Sequence, residues 1–354
     1  MELTGKRFLV VGGAGFIGSH VVDQLHAIRR RRHDVVDQLL QQDVAEVVVF
    51  DNFSRGSREN LEQALLDERC SIFPHGGDIL QTDVLQDAMA GMDGVFHLAA
   101  LWLLHCYEYP KAAFDVNIRG TFNVLECALK AGVSRLVYSS SASVYGDAVQ
   151  EPMPESHPLN NDTFYGATKI AGEQMLHALF HRYQGTAQHF DYVGLRYMNV
   201  YGARQDYRGA YIAVIMKMLD RLDRGLPPAI YGDGSQAYDF ICVSDVARAN
   251  IKAMAADATD QFYNVGSGTK TSISELTKLI LEVTESDLEP AYEPAGQTFV
   301  QNRIGSIEAA RNDLGFLTMV KLRDGLRELV DWRNGHREQV EARRRAAGVD
   351  IQQP

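Results

Sequence analysis

Apolar residues in the first 200 positions fall into short continuous runs separated by longer stretches with helical spacing. Arg7-Phe8-Leu9-Val10-Val11, Val47-Val48-Val49-Phe50, Gly94-Val95-Phe96-His97-Leu98 and Arg135-Leu136-Val137-Tyr138-Ser139 read as strands. Lys111 to Ala131 places apolar residues three and four apart and reads as a helix. Strands that are apolar throughout are buried on both faces. In strand-helix alternation this means a doubly wound parallel sheet, of α/β class, with helices on either side. After about residue 195 the pattern loosens and becomes richer in Tyr, Gly and Pro. The expected division is therefore a sheet domain over 1–195, with 236–265 returning to it, a smaller C-terminal α/β domain over 196–335, and a polar helical tail over 336–354.

One irregularity interrupts the first helix. Val21-Val22-Asp23-Gln24-Leu25 recurs as Val35-Val36-Asp37-Gln38-Leu39, so that Val35 repeats Val21 and the whole pentapeptide is identical. A short tandem duplication explains this better than chance. The offset of fourteen makes nearly four helical turns, so a lengthened helix would show both copies to about the same side. The alternative is a looped-out insert.

Composition narrows the functional classes. With 45% hydrophobic and 23% charged residues over 354 positions, the chain has a globular profile, and disordered or fibrous classes are excluded. No apolar run approaches the roughly 18 residues that span a bilayer. Met1 to Val10 mixes Glu2, Lys6 and Arg7 with a four-residue apolar run, so it reads as a strand start and not a signal peptide. A cytoplasmic protein without a membrane partner is expected. Forty-six acidic against 35 basic side chains give a net charge of -11, which argues against nucleic acid as a partner. The basic clusters Arg29 to Arg32 and Arg343 to Arg345 read as solvated helix faces. Cys70, Cys106, Cys127 and Cys242 show neither Cys-x-x-Cys nor His-Cys ligand spacing. They read as buried thiols, and no metal site or disulfide is expected.

The first strand runs into Gly12-Gly13-Ala14-Gly15-Phe16-Ile17-Gly18, after which a helix opens at Ser19-His20-Val21-Val22. Glycines at these places allow a tight turn, let the backbone approach a pyrophosphate and bring helix and strand together, as in a Rossmann-type dinucleotide site. A ribose-binding carboxylate should follow about 20 residues later at the end of the second strand. Asp51 comes well beyond that distance from Gly18, but subtracting the duplicated segment, Val21 to Asp34, restores the expected separation. The two irregularities explain each other. A carboxylate here repels a 2'-phosphate and favours NAD over NADP, although Arg55 and Arg58 stand nearby. Asp78 is a candidate acceptor for the adenine amine or, alternatively, an ordinary loop carboxylate.

Tyr165-Gly166-Ala167-Thr168-Lys169 puts a phenol and an ammonium on one helix face. Tyr107 and Lys111 share that spacing, but Pro110 belongs at the first position of the following helix and leaves Tyr107 outside it. What singles out Tyr165 is Ser139-Ser140-Ser141 at the C-terminal end of a strand, where open α/β sheets bind ligands. The Gly loop, Leu98-Ala99-Ala100, Asn117, Ser141 and the Tyr165/Lys169 pair together resemble the extended short-chain dehydrogenase/reductase family. Within it the chain resembles NAD-dependent nucleotide-sugar 4-epimerases of the UDP-glucose/UDP-galactose 4-epimerase kind, over about residues 6 to 335.

The resemblance implies catalysis by Tyr165, Lys169 and Ser141. It implies NAD contacts from Gly12, Gly15, Phe16, Ile17, Gly18, Asp51, Asn52, Asp78, Ile79, Leu98, Ala99, Ala100, Asn117, Ser139, Tyr165 and Lys169. A UDP-sugar or similar substrate would meet Ser141, Ser143, Tyr165, Asn199, Arg204, Arg208, Tyr238 and Arg303 in the second domain, and a homodimer is implied. An ammonium about 5 Å from a phenol, at an effective dielectric near 20, contributes about 3 kcal/mol, or about two pKa units towards the phenolate. On that argument Tyr165 is expected to be acidified.

Two departures stand out. Tyr238 occupies the place of an arginine that pairs with the substrate diphosphate, and Trp102 that of a lysine of the galactose epimerases. Arg204, Arg208 and Arg303 are the candidate replacement cations. Related 4,6-dehydratases carry Asp-Glu after the catalytic Ser/Thr. Ala142 and Ser143 stand there, which disfavours dehydration. UDP-glucuronate 4-epimerisation or decarboxylation, another nucleotide-sugar dehydrogenase and a non-catalytic NAD-binding regulator remain as alternatives.

Overall fold

A computed structural model describes residues 1–27, 43–186, 188–205, 214–295 and 300–346. The Arg29 to Arg32 cluster, Arg208 and the second pentapeptide copy lie outside these residues.

Strands β1 (Arg7–Val11), β2 (Glu46–Phe50), β3 (Cys70–Ile72), β4 (Gly94–His97), β5 (Arg135–Ser141) and β6 (Asp191–Tyr197) belong to one parallel sheet. Short strands β7 (Asn199–Tyr201), β8 (Ala229–Tyr231), β9 (Ala237–Tyr238) and β10 (Phe240–Cys242) follow before the chain returns to the sheet as β11 (Gln261–Val265), parallel to β6. The sheet order is β3-β2-β1-β4-β5-β6-β11. Phe8 and Val10 enter the apolar core on one face of this sheet, and Leu9 and Val11 enter the core on the other. That alternation is why the strands read as unbroken apolar runs.

Helices α1 (Phe16–Ala27), α2 (Thr82–Met89), α3 (Leu103–Glu108), α4 (Pro110–Ala113), α5 (Thr121–Ala131) and α6 (Phe164–Tyr183) connect the first six strands. The helix expected over Lys111 to Ala131 is divided, because α4 and α5 are joined by a wider π-helical turn at Phe114–Gly120. Pro110 opens α4, and Tyr107 belongs to the separate α3.

Helices α8 (Val243–Ala255) and α10 (Glu308–Leu314) return to the sheet, where Val246, Ile251 and Leu314 join the core of Phe8 and Val10, while the smaller lobe combines α7 (Val214–Asp223), α9 (Ile273–Val283), α11 (Leu322–Gly335) and α12 (Arg337–Ala346) with β7 to β10. Strands β12 (Thr271–Ser272), β13 (Ala291–Glu293) and β14 (Asn302–Arg303) complete it. Met216, Leu219, Phe240, Leu276 and Leu326 form its core.

The basic residues near the C-terminus are not simply a solvated face. Buried Arg344 pairs with Asp220, which also receives Arg333 at 2.8 Å, and Arg343 donates to Asn60 at 2.6 Å. These bonds hold α12 against α7 and the sheet domain. The four cysteines are buried and free. Among the described residues, no helix is long and apolar enough to cross a membrane.

Candidate active site

The sheet order reverses between β1 and β4, where connections leave in opposite directions and open a crevice beyond the strand ends. The Gly loop lines this crevice. A Cβ on Gly18 would lie 2.2 Å from the Gly12 carbonyl, so α1 approaches the loop as closely as it does only without a side chain there. A Cβ on Gly15 would meet nothing nearer than the Gly12 carbonyl at 3.3 Å. Half-buried Phe16 and Ile17 open α1 directly after Gly15. Such a cradle of bare backbone at a helix N-terminus suits a pyrophosphate. Leu98 N and Ala99 N donate to Val11 O at 2.8 and 3.0 Å, fixing the Leu98-Ala99-Ala100 loop beside it.

Asp51 ends β2 facing the Gly loop. Its carboxylate accepts from Ala14 N at 2.9 Å and Phe53 N at 2.8 Å, yet burial outweighs these donors and pushes its pKa up. Asn52 turns its amide oxygen to Ser54 N at 3.0 Å and is exposed. One Asp78 oxygen accepts from Leu80 N at 2.9 Å, which gives this carboxylate a local turn role, while Ile79 is buried. Asn117, in the π-helical turn, reaches no open space. Its amide bonds both N and O of Leu101 at 2.7 and 2.9 Å and Thr168 Oγ1 at 3.1 Å. It therefore positions the loop after β4 and the helix carrying Lys169.

Thr163 caps α6 by accepting from Gly166 N at 3.1 Å, which places Tyr165 in the first turn and Lys169 one turn later. A Cβ on Gly166 would lie 2.5 Å from Ser143 O, so glycine lets the helix lie against the Ala142–Val144 turn. Ser141 caps that turn by accepting from Ser143 N and donates to Ser143 Oγ at 3.2 Å, and its side chain lies near enough to Tyr165 to pull the phenol's pKa down. Lys169 Nζ donates to Ser139 O at 2.7 Å and lies 5.7 Å from the Tyr165 ring centre. Ser139 Oγ shares a hydrogen bond with Tyr197 at 2.8 Å.

The expected acidification of Tyr165 is not what the protein's own groups produce. Burial pushes the phenol up to about 12, against the opposing pull of Ser141, Arg55 and Arg303. Burial likewise brings the Lys169 ammonium down to about 8. Desolvation thus exceeds the pair attraction on which the expectation was built.

The candidate cations separate clearly. Arg204 has a left-handed backbone (φ 67°) and pairs with Asp23 of α1 at 2.8 Å, so its charge is engaged away from Tyr165. Tyr238 donates its one phenolic proton to Val300 O at 2.8 Å and has none to offer a phosphate in this arrangement. Arg303, its register partner on β14, is close enough for its charge to act on Tyr165. Its Nε is buried without a hydrogen-bond partner, and burial brings the guanidinium down to about 10. The Asn199 amide nitrogen is also buried and unpartnered.

Arg55 is the cation that spacing did not assign to this site. It stacks over Trp102 at 4.8 Å, and its charge also reaches Tyr165. A cation next to Trp102, in place of a missing lysine, is a pairing only the fold brings together. Beneath the site, Glu173 of α6 holds Arg196 of β6 through bonds of 2.9 and 2.7 Å and accepts from Ser140 at 2.5 Å.

The sequence profile of the NAD dependent epimerase/dehydratase family matches residues 8–266. The chain is 32% identical over 326 residues to a putative UDP-glucose 4-epimerase of Methanocaldococcus jannaschii, covering 92% of this chain and 97% of that one. It is 31% identical to a dTDP-glucose 4,6-dehydratase of Actinoplanes, covering 94% and 98% respectively. A similar solved structure is the UDP-N-acetylglucosamine 4-epimerase of Methanobrevibacter ruminantium in complex with UDP-N-acetylmuramic acid. It has a TM-score of 0.82 at 32% identity, covering 94% of this chain and 99% of that one. A Gly-loop crevice that ends at a Ser, Tyr and Lys constellation, matched over nearly the whole chain by such relatives, shows that this protein belongs to the NAD dependent epimerase/dehydratase family.

Proposed function

We propose that this chain is a 4-epimerase of a nucleotide-diphosphate sugar, with a UDP-hexose as substrate. The observation that carries this reading is Tyr165, set beside Ser141 and backed by Lys169, where Ser141 leads directly into an Ala142-Ser143 turn that offers no carboxylate. Elimination of water needs an acid and base there, whereas epimerisation needs only a proton acceptor beside a hydride acceptor.

The bare-backbone cradle and Asp51 suit NAD, and Lys169 would hold the nicotinamide ribose. NAD, when bound, supplies the hydride acceptor and the means of returning the hydride to the sugar. Tyr165 takes the proton of the sugar 4-hydroxyl, while Ser141 donates to the same oxygen and keeps it at the phenol. A 4-keto sugar turned over in the site then presents its other face, and Tyr165 returns the proton. Arg303 and Asn199 offer their unpartnered donors to the diphosphate-sugar portion. Arg55 adds positive charge on the opposite side, against Trp102.

A homodimer is the assembly we infer. Phe114, Phe122 and Phe164 are exposed, and a hollow lined by Pro110, Lys111, Phe114, Asp115 and Phe164 lies among them. A second copy would cover that face. Light scattering on Phe114→Glu should then report a monomer, and an unchanged mass would dismiss this surface.

A panel of UDP-, GDP-, CDP- and dTDP-sugars with NMR of the products tests the reaction. The expected product is the C4 epimer of a UDP-hexose. A dehydrated sugar, loss of carbon dioxide from a glucuronate, or no turnover at all would replace this reading with dehydration, decarboxylation or a regulatory role.

A further inference from the structure

Far along α6 from Tyr165, two histidines and an aspartate converge. His177 and His181 are one turn apart on α6, half exposed, with ring centres 4.3 Å apart. Asp260 directly precedes β11, and its two carboxylate oxygens lie 2.8 Å from His177 Nδ1 and 3.0 Å from His181 Nε2. We propose that His177, His181 and Asp260 form a binding site for a divalent transition-metal ion, zinc above all, that fastens α6 to the entrance of β11.

The donor set selects the class of ion. Two imidazoles and one carboxylate suit zinc, copper or nickel, whereas magnesium and calcium favour all-oxygen shells. The three ligand atoms all lie within 4.8 Å of one another. Bonds of about 2.0–2.1 Å in a tetrahedral shell place ligand atoms about 3.4 Å apart, so small rotations of the exposed rings bring them to an ion. Three protein ligands on an open surface leave the remaining coordination position to water.

The carboxylate is held as a ligand's carboxylate is usually held. Tyr192 of β6 donates to Asp260 Oδ1 at 2.5 Å, and Asp260 N donates back to Tyr192 O at 3.1 Å. Burial and the neighbouring carboxylate push the Tyr192 phenol well above its ordinary range, so it remains a donor. Asp260 also has a left-handed backbone (φ 54°), which turns its side chain towards α6. Outer partners of this kind fix metal ligands, and their loss commonly weakens binding by about 10- to 100-fold. The expectation of no metal site came from cysteine spacing. The histidine pair is visible in the sequence, but Asp260 lies far beyond His181 along the chain and only the β6-β11 pairing brings it close.

Zinc and the tag-free full chain provide the test. Equilibrium dialysis should find one tight zinc per chain, with affinity reduced at least about tenfold in the His177→Gln/His181→Gln double variant and about tenfold in Tyr192→Phe. Zinc should raise the unfolding temperature of the parent chain but not of the double variant, because binding to the folded state alone stabilises it. Copper bound at the same place should show coupling to two imidazole nitrogens in its paramagnetic resonance. His177 stands more than three turns after Tyr165, about 18 Å along the helix, so the double variant should fold and turn over as the parent does without metal. Zinc bound equally by parent and double variant, or by neither at micromolar concentration, would overturn the proposal. None of these binding readouts depends on which sugar the enzyme takes.

Discussion

Tyr165 is subject to opposing forces that the sequence shows only in part. Its spacing to Lys169 is legible, and so is the attraction between phenolate and ammonium. The cost of burying both is not, and with the protein's own groups alone it pushes the phenol up to about 12. Further positive charge must therefore arrive before Tyr165 serves as a base near neutrality. Ultraviolet titration of the parent against Tyr165→Phe should show the Tyr165 phenolate forming at lower pH when NAD is added. Tyr165→Phe should also lose activity by about 100- to 10,000-fold while retaining NAD, and activity retained in that variant would remove Tyr165 from proton transfer. The position of Asp51 after β2, facing the Gly loop, was legible once the duplication was subtracted. The pairing of Arg204 with Asp23 and the stacking of Arg55 on Trp102 could not be read from spacing, because only the fold brings those residues together. Arg303 carries the diphosphate assignment. Arg303→Met should raise KM by about 10- to 100-fold with a smaller effect on kcat, matching the loss of charge-assisted hydrogen bonds, and an unchanged KM would assign the phosphates elsewhere.

The elements that hold these residues were legible to differing degrees. Core strands announce themselves because each is apolar on both faces, and β1, β2, β4 and β5 appear where the apolar runs stand. The division of Lys111 to Ala131 was not visible, since a π-helical turn keeps nearly helical spacing while adding one residue to the turn. That turn brings Asn117 inward to both Leu101 and Thr168. The network of Ser140, Glu173 and Arg196 was also hidden, since its side chains meet only when β5, α6 and β6 pack together. In α1 the first pentapeptide copy packs Val21, Val22 and Leu25 fully into the core. Deleting Val21 to Asp34 brings Val35, Val36 and Leu39 into those places. The shortened chain should fold with an unfolding temperature within a few degrees of the parent and turn over substrate. An unfolded product would show that the duplicated segment is required.

At the scale of the whole molecule, the net charge of -11 means that an anionic cofactor and substrate must be held by local devices. On the function proposed above, those devices are the α1 N-terminus, Arg303 and Arg55. The same scale governs stability. His97, at the end of β4, is fully buried against Thr121 and Tyr138, and burial, with Lys169 adding to it, brings its pKa down to about 3. An unfolded chain takes up that proton near pH 6.5 and the folded one does not, so stability falls as the pH drops below 6.5. Between pH 6.5 and 5.5 the His97 contribution falls by about 1 kcal/mol. Denaturant titrations at those two pH values should show this fall in the parent relative to His97→Gln, and parallel curves would place the sensitivity in other groups.

The central claim is that hydrogen leaves carbon 4 of the sugar and returns to the same carbon within one binding event. UDP-glucose carrying deuterium at C4 tests it in a single measurement, with NMR following the product and absorbance following the cofactor. The predicted result is UDP-galactose with deuterium still at C4 and no net reduction of added NAD. Product without the label, or reduction of NAD in proportion to turnover, would contradict it.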